Sequence, residues 1–220
     1  MAATGMFEDR YWEVYAHRSS HVRSPPELAS GSWSAAGGAP SGPWARHIGT
    51  ALHGARRLLD VGAGDRRWAE LLPRLGVQAR YLSCDPDRRH DHDHDDFLAV
   101  AEPFDAILML DLLEHLPAQQ GIAFVDHAAE LLPPGGALVI STPNPAHPTS
   151  FQASDFTHIR PWPAHDLFGL CRSAGFSDVR VHRIQHVDGR LRRALVPVQR
   201  TLSRLIGVDP ADHLLLVAIL

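Results

Sequence analysis

The run Arg57-Leu58-Leu59-Asp60-Val61-Gly62-Ala63-Gly64-Asp65 does most to limit what this chain can fold into. A short apolar strand runs into two glycines, which set a tight turn, and helical spacing resumes from Trp68 to Leu75. A strand that feeds straight into a helix is the start of a βα unit. The alternation continues along the chain. Further strands are expected at Ala79 to Cys84, about Asp96-Phe97-Leu98, Phe104 to Leu110, Ala137 to Thr142, Val179 to Ile184 and His213 to Leu220. Helices are expected at Trp44 to Gly54, Gln119 to Leu132 (stopped by Pro133-Pro134-Gly135-Gly136), Ala164 to Ala174 and Leu191 to Ile206. The Phe104 to Leu110 strand is apolar enough for burial on both faces, which implies a mainly parallel sheet with helices on both sides. The amphipathic Leu191 to Ile206 helix stands where a hairpin would suffice, and reads as a lid or interface element.

A length of 220 residues fits one such domain, and 45% apolar residues exclude a disordered chain. No apolar run approaches the ~20 residues that span a bilayer. Met1 to Arg10 contains Glu8 and Asp9 and lacks the apolar core of a secretory leader. No membrane partner is therefore expected, and a cytoplasmic location is. Two cysteines, Cys84 and Cys171, exclude a disulfide framework and suit a reducing compartment. A net charge of −4 with no basic block argues against nucleic acid. All 21 basic residues are arginine, which removes Schiff-base, lysine-base and P-loop chemistry.

The glycine turn specifies a kind of ligand. Gly62 and Gly64 let the backbone approach a bound group closely, and the next helix offers free N–H groups at the same place. A dinucleotide fingerprint would need a third glycine at the position of Arg67. Asp60 instead places an acid two residues before the first glycine. Asp85, at the end of the second strand, is placed to accept two hydrogen bonds from a ribose diol, worth about 1.5–3 kcal/mol each. This pattern points to a mononucleoside.

The ordered set Asp60-x-Gly62-x-Gly64, Asp85, Asp96-Phe97-Leu98, Phe104-Asp105, Leu113-Glu114-His115-Leu116, Leu132-Pro133-Pro134-Gly135-Gly136 and Val139-Ile140-Ser141-Thr142-Pro143-Asn144 resembles class I S-adenosylmethionine-dependent methyltransferases, in their ubiquinone-biosynthesis-like branch. The resemblance covers about residues 44 to 185. It implies an α/β doubly wound, seven-stranded Rossmann-like sheet with an antiparallel last strand. It also implies a methyltransferase domain at 44–220 (191–206 an inserted helix), with 1–43 an N-terminal cap helix and mobile loop. S-adenosyl-L-methionine would be the cofactor and S-adenosyl-L-homocysteine the product. Asp60, Gly62 and Gly64 would line its methionine and ribose part, Asp85 with the adjoining Pro86 the ribose, and Asp96 with Phe97 the adenine. Leu110 and Asp111 would lie beneath it. Relatives often carry a third glycine at the position of Arg66. The implied reaction is methyl transfer to a small-molecule acceptor, with oxygen favoured and a natural-product or sugar acceptor suggested by association.

The remaining candidates keep two readings each. His115 is a catalytic base or a cap on its loop, and His158 is a base or a structural residue at the rim. Asp111, Glu114, His115 and His158 together resemble the metal site of small-RNA 3′-terminal 2′-O-methyltransferases, although metal-free relatives also contain Leu-Glu-His-Leu. No metal is expected here. The run His90 to Asp96 has metal-tract composition but reads as a solvated loop. Tyr11, Tyr15, Phe151 and Trp162 are candidates for the wall of a substrate pocket, against plain core packing. A homodimer through the apolar C-terminal strand and the extra helix is compatible with the sequence, and so is a non-catalytic protein that binds the cofactor.

Overall fold

The computed structural model describes residues 10–18, 28–31, 43–148, 155–187 and 190–220. Helix α1 covers residues 10–18. It is followed by β1 (Leu28–Gly31), α2 (Pro43–Ala51), β2 (Arg57–Val61), α3 (Trp68–Arg74), β3 (Arg80–Cys84) and β4 (Ala106–Leu110). Then come α4 (Ala118–Leu131), β5 (Ala137–Pro143), α5 (Ala164–Ser173), β6 (Asp178–His186), α6 (Arg190–Ile206) and β7 (His213–Ile219). Single 3₁₀ turns lie at Phe97–Ala99 and Leu113–His115.

The strands form one sheet in the order β1-β6-β7-β5-β4-β2-β3. β7 runs antiparallel to both β5 and β6, and the other pairings are parallel. The six strands from β2 to β7 and their mixed arrangement follow the expected α/β methyltransferase pattern. The strand expected about residues 96–98 is absent. Phe97–Ala99 is a 3₁₀ turn capped by the Asp96 carboxylate, which accepts from the Leu98 N–H, and the approach to it makes a single bridge between Cys84 and His94. The short strand Leu28–Gly31 joins the opposite edge, beside β6, in a stretch expected to be partly loop.

Alternation along the strands divides the core. Leu59, Ile107, Leu138 and Leu216 face α4 and α5, while Leu58, Leu108, Val139 and Leu215 face α2 and α3. β4 and β5 are buried along nearly their whole length, as expected for strands covered on both faces. α4 turns Gly121, Phe124, Val125, Ala128 and Leu131 inward at helical spacing. Its Gly121 gives room to Trp162, since a Cβ there would lie 2.7 Å from the indole.

The connection from β3 returns to β4 on the other side of β2. The chain therefore reverses its direction of winding between β2 and β4, and a crevice opens at their carboxyl ends. On the α4–α5 face of the sheet, α1 lies against α5 so closely that a Cβ at Gly169 would overlap the Val14 carbonyl oxygen. Arg10 bonds the Ser173 carbonyl and pairs with Asp126, and Arg18 pairs with Asp166 at 2.9 Å.

Gly169→Ala tests this packing. Alanine inside a helix normally gains about 0.5–1 kcal/mol over glycine. Here the backbone of α1 occupies the space, so the expected result is no gain in Tm and faster amide exchange over residues 10–18. A higher Tm with unchanged exchange would show that α1 does not pack there.

Candidate active site

The crevice between β2 and β4 is a cleft of about 230 Å³, bounded by Trp44, Asp60, Gly62, Ala63, Gly64, Asp65, Arg67, Trp68, Leu110, Asp111 and Ser141. Gly62 and Gly64 both adopt left-handed backbone, at φ 74° and 49°, and form the turn. Their roles differ. A Cβ on Gly62 would meet the Leu112 side chain at 2.7 Å, whereas a Cβ on Gly64 would meet nothing within 4 Å. The space over Gly62 is filled by the protein itself, and the open space lies over Gly64.

Asp60, the penultimate residue of β2, is only 1% exposed. Burial pushes its carboxyl up to about 7, the Tyr81 hydroxyl donating at 2.6 Å pulls the other way, and Asp85 and Asp65 add to the rise. Asp85 accepts from the Gly64 N–H at 2.9 Å and the Asp87 N–H at 2.8 Å, so it braces the glycine turn from the end of β3. It also lines a wider hollow of about 440 Å³ with Asp87, His90, Asp91 and His92. Pro86 is exposed beside it. The His90 to Asp96 run is more than a solvated loop, because Asp93 accepts from the Ser83 N–H and hydroxyl and so covers the open edge of β3.

Leu110 and Asp111 line the cleft. Asp111 adopts left-handed backbone at φ 51°, held by its N–H on the Ser141 carbonyl and hydroxyl oxygens and by the Ser141 hydroxyl donating to its carboxylate at 2.8 Å. Phe97 departs from the reading that paired it with Asp96. Its ring is 2% exposed and packs edge-on against Phe124 and His127, so it cannot stack on a base.

Beyond Asp111 the turn Leu113–His115 meets the segment at 155–162. The His115 and His158 rings stand 4.8 Å apart, edge to face, and ligating atoms of Glu114, His115 and His158 all lie within 4.8 Å of one another. The Glu114 carbonyl accepts from the Ile159 and Arg160 N–H groups, which fixes one segment on the other. Glu114 is fully buried, and that burial with Asp111 nearby pushes its carboxyl up to about 8. Near Asp111 and Glu114, Asp212 accepts from His186 at 2.7 Å and holds His213 above the usual imidazole range despite burial.

Tyr11, Tyr15 and Trp162 do come together, but around a separate cavity of about 80 Å³ between α1, α4 and α5 that shares no lining residue with the cleft. Trp162 is 4% exposed and its indole N–H donates to the Leu113 carbonyl, which makes it a core residue first. Phe151 lies outside the described residues. Trp44, Arg67, Tyr81, Ser141 and His213 belong to the site and were not legible as such. Ser141 lies within an apolar strand, Arg67 directly follows the glycine turn, and the others are brought in by strand register or by a distant helix.

Residues 33–181 match the family described as methyltransferase domain. A ubiquinone biosynthesis O-methyltransferase of Xanthomonas campestris pv. campestris is 35% identical over 111 residues, 43% of this chain and 45% of that protein. The match thus spans less than half the length of this curated relative. A SAM-dependent methyltransferase from Archaeoglobus fulgidus superposes with TM-score 0.62 at 17% identity, covering 80% of this chain and 90% of that one. Phosphoethanolamine N-methyltransferase 2 of Haemonchus contortus, in complex with S-adenosyl-L-methionine, gives 0.54 at 14% identity over 82% and 53%. At these identities the structural likeness is one of fold.

The two glycines are expected to separate in thermal melts. Gly64→Ala adds only backbone strain of about 1–2 kcal/mol. Gly62→Ala adds a clash with Leu112 to the same strain, about 1–3 kcal/mol more, so its Tm falls further. Equal losses would mean that Leu112 does not close the space over Gly62.

Proposed function

The chain belongs to the methyltransferase-domain family, and from that premise we propose that it moves a methyl group from S-adenosyl-L-methionine to a hydroxyl oxygen of a small-molecule acceptor. One observation carries this reading: a glycine turn at the winding reversal of the sheet, open over Gly64 and flanked by Asp60 and Asp85. The residues present fit the cofactor. Helix α3 follows the turn, Asp60 is a buried carboxyl suited to meeting an amino group, and Asp85 keeps lone pairs for ribose hydroxyls. Asp96 is the residue proposed for the adenine, and Leu110 and Asp111 form the floor.

When bound, the cofactor supplies an electrophilic methyl carbon. The acceptor oxygen forms its bond to that carbon as the carbon–sulfur bond opposite breaks, and holding the partners in line contributes most of the acceleration. His115 and His158 are the groups we propose to take the hydroxyl proton, since their paired rings border Glu114 and lie beyond Asp111. A natural-product or sugar hydroxyl, and a hydroxyl of a ubiquinone-biosynthesis intermediate as the relative's name suggests, are the acceptor classes to assay first. Beside the buried Asp60, three further acids about the cleft, Asp65, Asp85 and Asp111, disfavour a phosphate backbone and so a nucleic-acid acceptor. We propose 44–220 as the catalytic unit with residues 10–18 as part of a cap over α5.

A second reading rests on the convergence of Glu114, His115 and His158. An oxygen and two imidazole nitrogens suit Mn²⁺ or a later divalent ion, which would hold the acceptor oxygen. EDTA treatment distinguishes the two. Loss of turnover with unchanged S-adenosylhomocysteine affinity supports the metal reading, and unchanged turnover removes it.

Calorimetric titration with S-adenosylhomocysteine tests the main proposal. Binding is expected in the micromolar range (~10⁻⁶ M), with Asp85→Ala at least about tenfold weaker through its lost hydrogen bonds. Asp60, whose carboxyl sits at about 7, is largely protonated at slightly acid pH. A ligand amino group beside it favours the carboxylate, so binding below that pH is expected to release protons, measured by comparing buffers of different ionisation enthalpy. Absence of binding by folded protein overturns the proposal, and proton uptake overturns the placement of the amino group.

A further inference from the structure

The outer face of α6 is an apolar stripe that the site does not use. Val196 and Ser203 pack inward, and the Gln185 amide donates to Gln199 at 2.8 Å, which fixes one side of the helix on the domain. On another side Leu195, Val198, Leu202, Leu205 and Ile206 are all more than half exposed, with Leu205 at 78%. Spacings of three, four and three residues put the first four on one face. Single exposed leucines are ordinary, but a contiguous stripe marks an interaction surface.

The charge of the helix says what kind of surface it meets. Residues 190–206 contain five arginines and no Asp or Glu, in a chain with net charge −4, so the remainder of the chain is net −9. We propose that α6 lies along the surface of an anionic lipid bilayer, with its apolar stripe at the acyl boundary and its arginines serving the headgroup phosphates. A helix with strong apolar–basic segregation sits in that interface without spanning it. No described helix is long and apolar enough to cross a membrane, and this mode needs none. The expectation of no membrane partner rested on the lack of a spanning run and of a secretory leader, and neither bears on a helix that lies on the surface.

The location agrees. α6 joins the carboxyl end of β6 to the start of antiparallel β7, and both lie at the edge of the sheet that holds the cleft. The segment after β5 presents Phe156, 99% exposed, and Ile159, 64% exposed, at that same edge. A second copy of the chain is the less favoured occupant, because two α6 stripes face to face would gather ten arginines with no acid in either helix.

Co-flotation of the full chain with vesicles tests this. Binding is expected to phosphatidylcholine vesicles containing about 30% phosphatidylglycerol, each arginine near the surface contributing about a fivefold gain in partitioning. Binding to pure phosphatidylcholine, or in high salt, is expected to be at least about tenfold weaker. The exposed double variant Val198→Asp/Leu202→Asp is expected to lose about tenfold or more in vesicle binding, with Tm and S-adenosylhomocysteine affinity unchanged. No flotation with anionic vesicles overturns the proposal, as does equal binding to neutral ones. A concentration-dependent dimer that the double variant dissolves, without vesicle binding, assigns the stripe to a second copy instead. None of these outcomes bears on methyl transfer.

Discussion

The approach of Leu112 to Gly62 sets the geometry on which the rest of the site depends. β2 and β4 are parallel neighbours, and each must turn away at its carboxyl end. The turn after β2 passes so close to the turn after β4 that only a hydrogen fits at position 62. This contact presses two loops together at the sheet's winding reversal and leaves the opening one step further on, over Gly64. Asp85 then ties that second glycine to the end of β3. Three strand ends are thus locked into one rim by a methyl contact and a hydrogen bond, before any ligand arrives.

Two acids on this rim share an electrostatic state for the same reason. Asp60 and Glu114 are both buried, and in each case loss of water raises the carboxyl more than neighbouring hydroxyls lower it. Neither has an arginine partner among the described ion pairs. A buried carboxyl without a cation is costly as an anion and tolerable as an acid. Such groups are common where a charged ligand supplies the missing partner. For Asp60 the partner would be an amino group in the cleft. For Glu114 it would be a divalent ion shared with the adjoining imidazoles of His115 and His158.

The sequence made the framework legible because its signals are local. Leu58-Leu59 before Gly62, and Leu132 before Pro133-Pro134-Gly135, mark strand and helix ends by residue type alone, and β2 begins and ends at the expected residues. What stayed hidden depends on register. Tyr81 reaches Asp60 because β3 pairs Tyr81 with Leu58 and Ser83 with Asp60, which leaves the tyrosine diagonal to the acid. His213 joins the site because β7 is antiparallel and sets it opposite Pro143. The short strand at Leu28–Gly31 holds one large apolar residue and ends in Ser-Gly, and only its alignment with Arg183–His186 makes it a strand. Trp162 kept two readings in the sequence for a different reason. An aromatic near a predicted rim suggests a wall, but Gly121 leaves a socket for it, and glycine sockets are not visible from one chain.

Arg66 shows how this protein departs from the resemblance and still keeps the turn. It holds φ 59° at a position where relatives often carry glycine. For a long side chain that conformation costs about 1–2 kcal/mol. Its guanidinium bonds the Asp91 carbonyl, lies 3.7 Å from Asp93, and sits 6.0 Å from the centre of the Tyr81 ring. Contacts of this exposed kind are worth a fraction of a kcal/mol to about 1 kcal/mol each. Three of them offset the strain without exceeding it by much, so arginine here is close to neutral for stability. Its effect is on connection. Asp93 covers the β3 edge and Tyr81 bonds Asp60, so Arg66 links the acidic loop, the sheet edge and the buried carboxyl of the cleft. A glycine at this position would free the backbone and leave those three parts joined only through β3.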